Sequence, residues 1–267
     1  MTLPRIGVFD SGVGGLTVLK ALARQLPAHY FYFGDTARLP YGTKSAETVA
    51  RYAIAAARFL EQQQIDLLVI ACNTATALAL SKIKQAADVP VIGVVEPGAA
   101  RAAELSQSKA AIVIATEATV CSHAYRDALK VHGVAAYEKA CPLFVPLVEE
   151  GWIDHPVTEQ VARIYLCDAL AAAPETADVL VLACTHYPLI SPTLRRVTPA
   201  HMQIVDSAES TARAVRTMLD GDGLIKADAN HRTFCFYVTD STDKFKRLAT
   251  RFLGRQVDRV EHVDLGG

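Results

Sequence analysis

Apolar and polar positions along the chain repeat with the two periods that separate helices from strands. In residues 15–26, Leu16, Leu19, Leu22 and Leu26 fall on one face of a helix. Elsewhere, runs of about five apolar residues end in glycine or polar residues, as buried strands do. Helix and strand patterns alternate almost without a break, which is typical of parallel sheets with crossover helices. The pattern therefore predicts an α/β fold.

The predicted elements cover most of the chain. Strands are predicted at residues 5–10, 30–34, 67–71, 91–95, 110–115, 135–139, 179–183, 233–238 and 257–262. Helices are predicted at residues 15–26, 46–63, 76–87, 120–131, 157–172, 208–219 and 242–253. The polar stretch 220–230 is predicted to be a loop.

Two of the predicted strands end in the same way. Residues 67–74 read LLVIACNT, and residues 179–186 read VLVLACTH. Such apolar runs suit strands buried on both faces of a parallel sheet, and ligands of these sheets collect beyond the carboxyl ends of the strands. Cys72 and Cys184 are therefore expected to face one pocket from two sides. Moving a proton from one face of a carbon to the other is chemistry that needs such an arrangement.

The repeat extends beyond the two cysteine segments, because residues 6–10 open the first half much as residues 112–116 open the second. We predict two similar doubly wound parallel-sheet domains, related by pseudo-two-fold symmetry, with the active site in the cleft between them. Residues 1–95 plus 208–267 are assigned to the first domain. Residues 96–207 are assigned to the second.

Charge and cysteine usage exclude several classes of function. The net charge of −1 creates no field that would attract nucleic acid or an anionic membrane. No apolar run approaches the ~20 residues that a membrane helix needs, and the first residues lack a signal-peptide pattern. We therefore expect a cytoplasmic protein whose six cysteines stay reduced. Without a C-x-x-C pair, no metal site is expected.

A glycine-rich turn, Asp10-Ser11-Gly12-Val13-Gly14-Gly15, follows the first predicted strand. The dinucleotide-binding fingerprint fails here, because Thr17 stands where its third glycine would be. The turn either presents backbone N–H groups to a small anion, such as a carboxylate, or is a tight turn with an acidic cap. The sequence leaves both interpretations open.

The two repeated cysteines differ from the other four. A helix beginning after a cysteine lowers the pKa of its thiol, which favours a reactive thiolate at Cys72 and Cys184. His186 is placed to exchange a proton with Cys184 or to bind a ligand. The remaining cysteines are interpreted as small apolar residues of the core: Cys121, Cys141, Cys167 and Cys235.

Taken together, five motifs in order resemble the glutamate racemases of the cofactor-independent aspartate/glutamate racemase family. The matching segments are residues 7–17, 34–42, 71–76, 142–149 and 183–189, continued at 205–208. The resemblance implies glutamate as the small-molecule substrate, no cofactor, and a role in supplying D-glutamate for peptidoglycan. It implies no nucleic-acid or membrane partner and leaves a homodimer open.

The resemblance also assigns the site residues. The acid and base fall on Cys72 and Cys184, and Asp10, Glu149 and His186 assist proton transfer. Choosing Glu149 over its neighbour Glu150 depends on the alignment. The implied substrate contacts are Asp10, Ser11, Tyr41, Gly42, Asn73, Thr74, Thr185 and His186.

The chemistry constrains this interpretation. One positioned acid or base supplies only ~10²–10⁴-fold in rate, so hydrogen-bond donors must also stabilise the substrate carboxylate as an electron sink. An ionised Asp10 near Cys72 raises the pKa of that thiol. Two thiols flanking one carbon must stand apart, so no disulfide joins them. A racemase for aspartate or another amino acid, and a non-catalytic small-ligand binding module, remain alternatives.

Overall fold

The computed structural model describes residues 3–221 and 231–266, and the strands of this part of the chain form two wholly parallel sheets. The strands are β1 Arg5–Asp10, β2 His29–Gly34, β3 Leu67–Ile70, β4 Val91–Gly93, β5 Ala110–Ala115, β6 Ala135–Ala140, β7 Val179–Ala183, β8 Gln203–Asp206, β9 Thr233–Val238 and β10 Glu261–His262.

Helices cover the faces of both sheets. They are α1 Leu16–Gln25, α2 Ala46–Gln62, α3 Asn73–Ala86, α4 Val95–Leu105, α5 Glu117–Ser122, α6 Ala124–Val131, α7 Phe144–Glu150, α8 Pro156–Ala172, α9 Ser191–Val197, α10 Ser207–Gly221 and α11 Thr242–Leu253. Among the described residues, no helix is both long and apolar enough to cross a membrane.

The two sheets repeat one topology. The first has the strand order β10-β9-β2-β1-β3-β4, and the second has the order β6-β5-β7-β8. The run β2-β1-β3-β4 therefore matches the whole second sheet strand for strand, with β9 and β10 added beside β2. The predicted α/β class with two parallel-sheet domains is confirmed. The residue bounds of the domains stay a prediction.

The central strands β3 and β7 are buried along their whole length, as the apolar runs before the two cysteines predict. Burial continues across the boundary between the sheets. One apolar cluster joins Val8 and Val69 of the first sheet to Ile112 and Leu180 of the second. Apolar burial of this kind stabilises by roughly 25 cal/mol per Å² removed from water. The two halves of the molecule therefore share a core.

One helix is absent from the prediction, and one predicted helix is wrong in its extent. Residue 95 begins α4 instead of ending a strand, and the sequence hid this helix because Pro97 and Gly98 fall in its first turn. Proline is tolerated there, since the first-turn N–H groups have no intrahelical partner. The helix predicted at 120–131 is two helices, because His123 adopts a left-handed backbone (φ 57°) between α5 and α6.

Other differences concern short elements. The elements α7, α9 and β8 were not predicted, and β10 contains two residues instead of the six predicted at 257–262. Prolines in the first turns of α7 and α9 conceal their helical pattern. In the predicted loop 220–230, residues 220 and 221 end α10, and residues 222–230 lie outside the described part of the chain.

We expect Leu180→Ala to destabilise the protein by about 2–5 kcal/mol, because Leu180 is fully buried in the shared core and its truncation leaves a cavity. Leu143→Ala makes the same chemical change at a half-exposed position and is expected to cost less than about 1 kcal/mol. Urea unfolding of both variants checks this. Equal losses of stability would show that the shared core is not packed around β7.

Candidate active site

Cys72 lies at the junction of β3 and α3 and caps the helix. Its Sγ accepts a hydrogen bond from the backbone N–H of Ala75 (3.4 Å) and lies 3.4 Å from Oγ of Ser11. The helix begins at Asn73, three residues earlier than predicted, because the sulfur takes the capping role that serine or threonine usually fills. The thiol therefore meets the positive end of the helix dipole directly.

The pKa of the Cys72 thiol is nevertheless raised, to about 12. Burial is the main cause, and the nearby carboxylate of Asp10 adds to it. The hydrogen bonds from Ser11 and Ala75 act in the opposite direction and do not compensate. The expected effect of Asp10 is confirmed. The expectation of a lowered thiol pKa is wrong for Cys72, since burial outweighs the helix terminus.

Asp10 ends β1 and is almost fully buried. Its Oδ2 accepts a hydrogen bond from the backbone N–H of Gly12 (2.9 Å), whereas its Oδ1 has no partner among the described residues. Burial raises the pKa of Asp10, although His186 and the N–H groups of Gly15 and Gly12 oppose that shift. A buried carboxylate oxygen without a donor is suited to accept a proton or bind an ammonium group.

Cys184 directly follows β7, in the position that Cys72 has after β3. Here the expected α-helix start is wrong. A short 3-10 turn, Tyr187–Ile190, comes first, and α9 begins only at Ser191, with prolines at the start of both. Both thiols are about 5% exposed. All cysteines in the described residues are free, so the prediction that no disulfide joins Cys72 and Cys184 is confirmed.

His186 forms an ion pair with Glu149, with 3.1 Å between Nε2 and Oε1. Burial lowers the pKa of His186, but hydrogen bonds with Cys184 and Glu149 outweigh burial and raise the pKa to about 10. Burial likewise raises the pKa of Glu149, and the bond to His186 turns the net shift downward. Glu150 is exposed, so the structure places Glu149 at the site and not its neighbour.

The end of the chain supports this ion pair. The ring of Phe252 packs edge-on against the imidazole of His186, with 5.3 Å between ring centroids. The guanidinium of Arg251 donates a hydrogen bond to the backbone carbonyl of Glu149 (2.7 Å). Helix α11 thus holds His186 and Glu149 in place, although both belong to the other half of the molecule.

The glycine turn lies between the two cysteine segments. A Cβ on Gly14 would lie 2.2 Å from Oγ1 of Thr185 and 2.5 Å from Nδ1 of His186, distances that no side chain tolerates. A Cβ on Gly15 would lie 2.5 Å from Cβ of Asp10. The hydroxyl of Thr17 also donates to the backbone carbonyl of Thr185 (3.1 Å). Gly14 therefore permits close approach of the backbone to the second cysteine segment, and Gly15 permits close packing against Asp10.

Three threonine hydroxyls meet where the first cysteine segment contacts the start of α5. Oγ1 of Thr116 lies 3.0 Å from Oγ1 of Thr74 and 2.9 Å from Oγ1 of Thr119. Gly42 packs against Thr116, with 3.2 Å from an ideal Cβ position to Cβ of Thr116. Sequence reasoning missed Thr116 and Thr119 as site residues. The signal was the repeat, in which Thr116 occupies the place of Asp10.

The remaining predicted contacts are brought to the same region in different ways. The hydroxyl of Tyr41 donates to Oδ2 of Asp35 (2.5 Å), and this side chain therefore anchors the loop. The amide of Asn73 bonds to Tyr125 and Ser207, two residues that sequence reasoning also missed.

The cysteines interpreted as core residues behave differently. Cys141 is buried, as expected, but the others are exposed on α5, α8 and β9, namely Cys121, Cys167 and Cys235. That expectation is wrong for these three, because each falls on the solvent side of its element. In the part of the chain that the structure describes, no three His, Cys, Asp or Glu side chains cluster as a metal site would need.

Comparison with known proteins agrees with this geometry. The model of the Asp/Glu/Hydantoin racemase family matches residues 6–215. A glutamate racemase of Koribacter versatilis is 58% identical, over 99% of this chain and 98% of its own length.

Two solved structures share the whole fold. A glutamate racemase of Francisella tularensis in complex with D-glutamate is 34% identical, with a TM-score of 0.90 and 99% of each chain covered. A glutamate racemase of Thermus thermophilus in complex with β-chloro-D-alanine is 45% identical, with a TM-score of 0.87, covering 98% of this chain and 97% of that one. The resemblance of the five motifs is confirmed, and the chain belongs to the Asp/Glu/Hydantoin racemase family.

Proposed function

We propose that this chain is a glutamate racemase that interconverts L- and D-glutamate by two-base proton transfer between Cys72 and Cys184. One observation carries the proposal: the two thiols follow equivalent central strands, and a single glycine turn touches both cysteine segments. The glutamate racemases that match this chain over nearly its full length support the choice of substrate.

The α-carboxylate of the substrate must accept charge when the α-proton leaves. We assign its binding to hydroxyl, amide and backbone N–H donors beside the two cysteines. Preorganised donors stabilise the developing negative charge without reorganising during the reaction. The residues assigned to this role are Ser11, Asn73, Thr185 and, through its backbone N–H group alone, Thr74.

We assign the side-chain carboxylate of glutamate to the threonine cluster of Thr74, Thr116 and Thr119 and to the backbone of Gly42. Hydroxyl groups that donate only to one another can turn their hydrogens toward an arriving anion. Neutral donors at this place recognise a carboxylate without a fixed positive charge. This pocket favours an acidic amino acid. The longer side chain of glutamate reaches the threonine cluster, whereas that of aspartate does not.

Asp10 governs the first thiol. With a pKa of about 12, Cys72 keeps its proton in the ligand-free site. A substrate ammonium bound to the free Oδ1 of Asp10 compensates the carboxylate charge that opposes the thiolate. Binding of the substrate thus removes part of the barrier to forming the base. Closure of the site around the substrate keeps water away from the carbanion.

His186 serves the second thiol. Its pKa of about 10 leaves it protonated at neutral pH, and Glu149 balances its charge. From this position His186 exchanges a proton with Cys184 as that sulfur changes between thiol and thiolate. When Cys184 removes the proton from one enantiomer, Cys72 delivers a proton to the opposite face, and the roles reverse for the other enantiomer.

The proposal includes a cellular role. D-Glutamate formed here supplies peptidoglycan synthesis, and the reaction takes place in the cytoplasm, where free cysteines stay reduced. Glutamate is the small-molecule partner, neither nucleic acid nor membrane takes part, and a homodimer remains open.

We expect the purified protein to racemise L-glutamate without an added cofactor, also after dialysis against a chelator. L-Aspartate is expected to react far more slowly, because its shorter chain cannot reach the threonine cluster while its α-carbon lies between the thiols. Optical rotation of each amino acid, incubated separately, checks this. Faster racemisation of aspartate would replace the assigned substrate, and no racemisation of any amino acid would favour a binding module.

Replacing one thiol separates the two faces. Serine is a poor base, so Cys72→Ser and Cys184→Ser are each expected to lower racemisation by about 10²–10⁴-fold. β-Chloroglutamate needs only the first proton abstraction: the α-proton and chloride leave, and hydrolysis of the enamine gives 2-oxoglutarate and ammonia. By family resemblance, Cys184→Ser should retain this elimination with the D-enantiomer, and Cys72→Ser with the L-enantiomer.

Release of 2-oxoglutarate from each enantiomer measures this pattern, and Cys167→Ser is the matched control at an exposed thiol. The control is expected to keep full racemisation and elimination. If the two active-site variants treat the enantiomers alike, the assignment of one base to each face is wrong.

The ion pair of His186 makes stability depend on pH. Because its pKa is raised from the ordinary 6.5 to about 10, the charged imidazole stabilises the fold fully below pH 6.5. That contribution is lost as the pH rises through about 10. We therefore expect His186→Asn to reduce the free energy of unfolding more at pH 6 than at pH 10. Urea unfolding at both pH values, with exposed His262→Asn as control, checks this; a loss independent of pH contradicts it.

A further inference from the structure

The side-chain amide of Asn73 is hydrogen-bonded to two buried residues that are far from Cys72 in sequence. The hydroxyl of Tyr125 donates to Oδ1 of Asn73 at 2.6 Å, and Nδ2 of Asn73 donates to Oγ of Ser207 at 3.4 Å. The three side chains are at most 3% exposed. Neither Tyr125 nor Ser207 is among the substrate contacts that the family resemblance implies.

The three residues come from different elements. Asn73 is the first residue of α3, directly after Cys72, whereas Tyr125 lies on α6 and Ser207 begins α10. Gly98 of α4 makes room for the phenol, since a Cβ there would lie 3.2 Å from the Tyr125 oxygen. The fold therefore directs a buried hydroxyl from the second half of the molecule at an amide in the first half.

The hydrogen bonds have a consistent direction around this cluster. Burial raises the pKa of Tyr125, so the phenol keeps its hydrogen. That hydrogen is donated to Asn73, and Asn73 in turn donates to Ser207. In this arrangement the carbonyl end of the amide faces Tyr125, and one N–H group faces Ser207.

We propose that Tyr125 is a positioning residue, which fixes the orientation of the Asn73 amide so that its second N–H group faces the substrate. The inference rests on the proposed function, in which Asn73 binds the substrate α-carboxylate. An amide carries two N–H groups, and Ser207 takes one of them. Without the phenol hydroxyl, the carbonyl oxygen of Asn73 loses its buried donor, and the amide is free to turn its oxygen toward the carboxylate.

A matched control distinguishes positioning from a general loss of stability. Tyr30 is equally buried, and its hydroxyl donates to the backbone carbonyl of Leu26 at 2.9 Å, near the start of β2. Tyr125→Phe and Tyr30→Phe remove the same group from a buried hydrogen bond. Both variants are expected to shift the urea midpoint by a similar amount, because each leaves one acceptor without its donor.

The test is a double-mutant cycle on glutamate racemisation. Tyr125→Phe is expected to lower kcat/KM about tenfold, the size of one hydrogen bond, while Tyr30→Phe stays within about twofold of the wild type. Combining Tyr125→Phe with Asn73→Ala is expected to cost no more than Asn73→Ala alone, since Tyr125 acts through Asn73. Equal losses of kcat/KM in the two tyrosine variants would overturn the inference. A double variant whose loss of kcat/KM is the product of the two single losses would also overturn it.

A second measurement does not depend on substrate. The ¹⁵N NMR signals of the Asn73 side-chain amide, assigned by their absence in Asn73→Ala, report its orientation and order. Tyr125→Phe is expected to shift and broaden them, whereas Tyr30→Phe leaves them unchanged. Unchanged signals in Tyr125→Phe would reject the positioning role. If the wild type fails to racemise glutamate, the proposed function is wrong, and these signals still decide whether Tyr125 orients Asn73.

Discussion

The site depends on the close approach of the glycine turn to the second cysteine segment. At Gly14 there is no room for a Cβ, because Thr185 and His186 lie where it would be placed. At Gly15 the space is filled by Asp10. The contact of Gly14 with Thr185 and His186 joins the carboxyl end of one sheet to the carboxyl end of the other. It explains why glycines stand here without a dinucleotide fingerprint: they permit contact between two halves of the site.

The topology is symmetric, but the electrostatics of the two halves are not. Cys72 caps a true α-helix, yet burial and Asp10 keep its thiol protonated. Cys184 lacks such a helix and has instead the imidazole of His186, charged and paired with Glu149. The same strand order thus presents two sulfurs with different partners. A reversible proton transfer needs one base and one acid at a time, and this difference supplies both.

Sequence reasoning predicted what depends on local pattern and repetition. The strands β3 and β7, the two cysteines after them and the α/β class follow from apolar runs and from the repeat. It failed where burial or long-range contact decides. Predicting the raised pKa of Cys72 requires knowing how deeply its thiol is buried, and the roles of Thr116 and Tyr125 require elements distant in sequence to meet. Helix α4 was missed because its first turn contains proline.

Racemisation in D₂O tests the two-base mechanism most directly, because the thiols exchange their protons with solvent. If Cys72 and Cys184 act from opposite faces, D-glutamate formed from L-glutamate carries deuterium at the α-carbon from the first turnovers. The unreacted L-glutamate should stay free of deuterium at low conversion. Mass spectrometry of the separated enantiomers measures both. Early product that retains the original α-proton, or deuterium entering L-glutamate as fast as product forms, would contradict two bases on two faces.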